Sequence, residues 1–69
     1  MPRSEREESI VRMALEFADV GPFNDWQEIE LLLRYSGNAD ARSILDNEAT
    51  RTLINQRCAA TILRLASEA

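Results

Sequence analysis

The chain has no histidine, no lysine and a single cysteine, Cys58. Each absence removes a class of chemistry. Without histidine there is no imidazole to serve as general base or as the commonest transition-metal ligand. Without lysine there is no amine for Schiff-base catalysis. One cysteine cannot close an internal disulfide, and alone it offers no zinc site. An enzyme would have to be assembled from carboxylates, tyrosine and arginine, so no catalytic residue, metal ligand or cofactor is expected, and no small-molecule substrate. Long hydrophobic runs are also missing: Leu31-Leu32-Leu33 is as long as any, far short of a membrane span. The opening Met-Pro-Arg-Ser-Glu-Arg-Glu-Glu is charged where a secretory signal needs an apolar run. A cytoplasmic location without membrane contact is the expectation.

Eight arginines face twelve carboxylates, a formal charge of −4 over 69 residues. An acidic balance argues against a general nucleic-acid binder, whose phosphate contacts need a basic surface. The length points to one domain, residues 1–69, near the lower limit for a self-sufficient core. Such a chain buries only roughly 60% of the surface exposed on unfolding. Ordering it costs about 1.5 kcal/mol per residue, which nearly cancels the apolar gain. Disulfides and metals being excluded, association with another chain is the remaining route to stability.

What is present reads as helix. Gly21-Pro22 and Ser36-Gly37-Asn38 are the punctuation, and no stretch alternates apolar and polar residues as a strand does. The first helix is predicted over residues 5–19, opened by a Ser4–Glu7 capping box. Its inner stripe is Ile10, Val11, Ala14, Phe17 and Ala18, with Met13 and Leu15 widening it. Glu8, Arg12 and Glu16 stack on the outer side as an ion-pair ladder worth about 0.2–0.5 kcal/mol per pair. The second helix is predicted over 25–36, with Asn24 or Asp25 as cap, Glu28 reaching back, and Gly37 as left-handed terminator. Phe23, just before the cap, is placed to staple onto the first turn. Gln27, Glu30 and Arg34 are its one polar strip; otherwise it is apolar nearly all round, as a sandwiched helix would be. A short third helix over 41–46, capped by Asp40, precedes a fourth over 48–67. One unbroken helix from Asp40 to Ser67 is the alternative.

The fourth helix also has two apolar sides. Ala49, Leu53, Ala60 and Leu63 form one; Ile54, Cys58, Ile62 and Leu65 form the other. The fold expected is therefore all-α, a small three- or four-helix bundle completed by dimerisation. The protein interface is expected on Ile54, Cys58, Ile62 and Leu65, with Leu31 and Tyr35 contributing. Trp26 is the preferred aromatic anchor, since tryptophan and tyrosine are enriched at interface hot spots. Cys58, amid Ala59, Ala60 and Ile62, reads as an inert buried thiol.

The leading functional expectation is a small cytosolic protein–protein interaction module: an adaptor, regulatory subunit or inhibitor presenting a helical surface as a homodimer. An acidic inhibitor imitating a polyanion with Glu5, Glu7, Glu8, Glu16 and Asp19 falls within that class. The alternative is a dimeric nucleic-acid-binding transcriptional regulator reading phosphates with Arg51, Arg57 and Arg64, arginine being suited to bidentate contacts. Asp19, Asp25, Glu28 and Glu30 surround the first loop, but they lack the alternating ligand spacing of a calcium site.

Overall fold

A computed structural model describes residues 4–68. The order of elements is α1 (Glu5–Val20), α2 (Trp26–Tyr35), α3 (Ala41–Ile44) and α4 (Glu48–Glu68), with no strand among the described residues. Their ends fall within two residues of the predicted ones. No helix among the described residues is long and apolar enough to cross a membrane.

Caps fix the boundaries. Ser4 Oγ accepts from the Glu7 amide at 3.2 Å, and Glu5, Glu7 and Glu8 occupy the first turn of α1, where the helix dipole favours negative charge. At α2, Asp25 accepts from the amides of Gln27 and Glu28. The Glu28 carboxylate reaches back one residue beyond that cap, accepting from Asn24 N at 3.0 Å and Nδ2 at 2.8 Å. Helix α2 is terminated at Gly37, the one residue with positive φ (+96°) among the described residues. The Gly37 amide donates to Arg34 O, and the Asn38 amide to Leu33 O, the paired bonds of a Schellman ending. Gly21 is required for a different reason. A Cβ there would lie 2.8 Å from the Phe23 amide nitrogen.

The chain breaks between α3 and α4, so the single long helix is not what forms. Asn47 stops it: its Oδ1 accepts from the Thr50 amide, and its carbonyl from the Arg51 amide. Asp40 does not cap α3 with its side chain. That carboxylate is held instead by Arg6, whose Nε and Nη2 donate to Oδ2 and Oδ1 at 3.1 and 2.8 Å, while Nη2 also donates to Asn38 Oδ1. The hydrogen bonds from Arg6 keep the Asp40 carboxyl below its ordinary pKa. This exposed clasp joins the start of α1 to the turn that follows α2.

The core is Ile10, Val11, Ala14 and Ala18 of α1, Ile29 and Leu33 of α2, Ala41 and Leu45 around α3, and Ile54 and Cys58 of α4. Met13, Leu15, Phe17, Phe23, Trp26 and Ile44 are partly buried against this centre. Phe23 packs edge-on against Phe17, ring centroids 6.3 Å apart. The Glu8–Arg12–Glu16 ladder does not form: all three side chains stay exposed, and none of the ion pairs among the described residues includes them.

Candidate protein-binding surface

The face of α4 that turns inward carries Thr50, Ile54, Cys58 and Thr61. Ile54 and Cys58 were expected at an interface, but both are fully buried within the chain. They have no surface to offer a partner. The reason lies in the two threonines. Thr50 and Thr61 occupy the same stripe, so the apolar run at 54, 58, 62 and 65 is not the inner line of the helix. The inner line is 50, 54, 58, 61 and 65, at four- and three-residue spacing. Thr61 is tolerated there because its hydroxyl donates to the Ala18 carbonyl in the last turn of α1. Leu65 is half-buried at the end of the line, while Ile62, 39% exposed, lies on its flank. Burial pushes the Cys58 thiol upward in pKa, with Asp25, Glu28 and Asp19 adding to the effect, so the thiolate is disfavoured.

The arginines of α4 are committed within the chain. Arg57 Nη1 donates to Asp19 Oδ2 at 2.7 Å, and Arg64 Nη2 to the Asp19 carbonyl at 2.9 Å. The last turn of α1 has no basic residue of its own. Arg57, Thr61 and Arg64 therefore supply from α4 the donors and positive charge that a helix C-terminus attracts. Arg51 is placed elsewhere. Its Nε donates to the Leu45 carbonyl, its Nη2 pairs with Asp46, and its guanidinium lies 3.9 Å from the Trp26 ring centroid, a cation–π geometry. The three residues do not form one phosphate-facing strip.

Trp26 likewise has a role inside the molecule. Arg51 covers its ring, and its amide donates to Asn55 Oδ1 at 2.9 Å, fastening the start of α2 to α4. It remains half-buried and lines one wall of a surface groove.

The outer side of α2 is different. Ile29, Glu30 and Leu33 point inward, which leaves Gln27, Glu28, Leu31, Arg34 and Tyr35 outside. Leu31 is 44% exposed and Tyr35 82%, more than any other large hydrophobic residue among those described. Two shallow grooves adjoin Leu31. One, of about 360 Å³, is lined by Trp26, Gln27, Glu30, Leu31, Arg34 and Arg42. The other, of about 350 Å³, lies between Leu31, Arg34 and Tyr35. Glu30 does not belong to an exposed polar strip: its side chain is only 8% exposed, with Arg34 Nε 3.0 Å from Oε1. That contact neutralises the charge without directing a hydrogen bond, and Oε1 has no donor. A buried carboxylate oxygen without a donor is costly.

Exposed apolar residues elsewhere are scattered. Leu63 (71%) stands opposite the core line of α4 among Thr52, Gln56 and Ala59, while Leu53 and Ile62 flank opposite sides of the helix. Val20, 77% exposed, ends α1. Among the described residues no three acidic or thiol groups gather closely enough to hold a metal ion. No protein-family model, curated protein or solved structure matches this chain.

Proposed function

We propose that this chain is a small cytosolic protein-interaction module, an adaptor, regulatory subunit or inhibitor, that acts as a homodimer and completes a helical bundle by association. The observation that carries this reading is the exposure of Leu31 and Tyr35 side by side on α2, next to two grooves. A chain this short has little apolar material to spare, and aromatic anchors in desolvated pockets dominate most interfaces. The lowered thiolate character of Cys58 fits binding better than nucleophilic chemistry. The nucleic-acid reading loses its support, because Arg51, Arg57 and Arg64 are engaged by Asp46, Asp19 and main-chain carbonyls. Sedimentation equilibrium at micromolar concentration is expected to give twice the 7.8 kDa chain mass. A single species of 7.8 kDa across the whole accessible concentration range would overturn self-association.

A further inference from the structure

We infer that the second copy docks on α2, in an antiparallel pairing whose two-fold axis passes beside Leu31. The inference rests on the homodimer reading above and names the surface that performs it. An isologous contact requires a patch that complements itself, and this face of α2 does so in three ways.

The first is shape. Helical side chains lean toward the N-terminus of their own helix. In an antiparallel pair, Leu31 of the second copy therefore leans toward the C-terminal end of the first α2. It lands between Leu31, Arg34 and Tyr35, the residues that line the groove of about 350 Å³. The second is charge. Residues on one flank of a helix meet the same flank of an antiparallel copy, so each Arg34 lies across from the Gln27 and Glu30 positions of the other chain. Arg34 Nε lies 3.0 Å from its own Glu30 Oε1, and among the described residues the Arg34 Nη groups make no hydrogen bond. Glu30 is one of the residues lining the groove beside Arg34. The copy brings a second carboxylate toward each Arg34, and the two Arg34–Glu30 pairs become a four-charge cluster of alternating sign. The third is coverage. Tyr35 is set over the first turn of the opposite α2, where the Glu28 carboxylate is an acceptor for its hydroxyl.

The test compares dimer dissociation constants, measured by sedimentation, for the wild type and three variants whose folding is checked by circular dichroism. Leu31→Asp puts two carboxylates on the axis and is expected to weaken association about tenfold or more. Tyr35→Ala removes a side chain that is 82% exposed; it leaves the fold intact and is also expected to weaken the dimer. Leu63→Asp, on the outer side of α4, is expected to change nothing. The wild-type dimer weakens as salt rises, because the charges in the cluster are screened. A dimer indifferent to Leu31→Asp and Tyr35→Ala, or one broken by Leu63→Asp, would overturn the assignment to α2 while leaving self-association standing. A wild-type monomer overturns both.

Discussion

Replacing Ile54 by alanine is expected to lower the stability of the fold by about 2–5 kcal/mol, the range for truncating a fully buried aliphatic side chain. Ile54 has no exposed surface and sits in the centre of the α4 inner line. A domain of 69 residues has only about 3–10 kcal/mol of stability in total, so the variant is expected to lose much of its helical signal at 25 °C. Urea titration followed by circular dichroism measures the effect. If Ile54 lay at a subunit interface instead, the variant would dissociate with its helices intact. Leu63→Ala is the matching control, and a change within about 0.5 kcal/mol is expected at that exposed position.

Thr61→Val is expected to cost about 1–3 kcal/mol although it preserves shape. Valine fills the same space, but the Ala18 carbonyl loses the buried hydroxyl that satisfies it. The damage falls on the last turn of α1, where Arg57 and Arg64 also gather. Amide exchange is expected to accelerate at Gly21, whose N–H donates to Phe17 O in that turn. Unchanged stability would mean that Thr61 merely occupies space, and the account of why a threonine sits on the inner line would fail.

The local features of this fold are legible in the residues themselves. Ser4–Glu7, Asp25 and Gly37 announce the helix ends because capping is chemistry between neighbours in sequence. Ile10, Val11, Ala14 and Ala18 announce the buried side of α1 by their spacing. Helix α4 misleads because its inner line includes Thr50 and Thr61, which a hydrophobicity count rejects. Only the Ala18 carbonyl, 43 residues away from Thr61, explains the second of them. Without that partner, the eye moves to Ile62 and draws the wrong stripe.

The proposed surface divides in the same way. Leu31 and Tyr35 were identifiable because α2 has more large apolar residues than one face can bury. The fate of the arginines was not legible. Arg57 and Arg64 find Asp19 across 38 and 45 residues, Arg6 finds Asp40 across 34, and Arg51 settles on Trp26. Such tertiary pairs leave no local pattern. Glu30 is the instructive case within α2: its spacing to Arg34 marks an ion pair, yet the spacing does not reveal that the pair is partly buried and leaves an acceptor unmet.

The pairing through α2 has one consequence that no other surface shares. A residue beside the two-fold axis meets itself, and helices packed 8–10 Å apart bring such positions to about the separation a disulfide bridges. Leu31→Cys is therefore expected to form a covalent dimer under mild oxidation, reversed by reductant, visible by non-reducing electrophoresis. The native Cys58 is buried and does not compete, so the wild type is expected to remain uncrosslinked under the same treatment. Leu63→Cys, exposed on the far side of α4, is the control. Rapid crosslinking at position 31 and not at 63 is what the account predicts; crosslinking at 63 with none at 31 would contradict it.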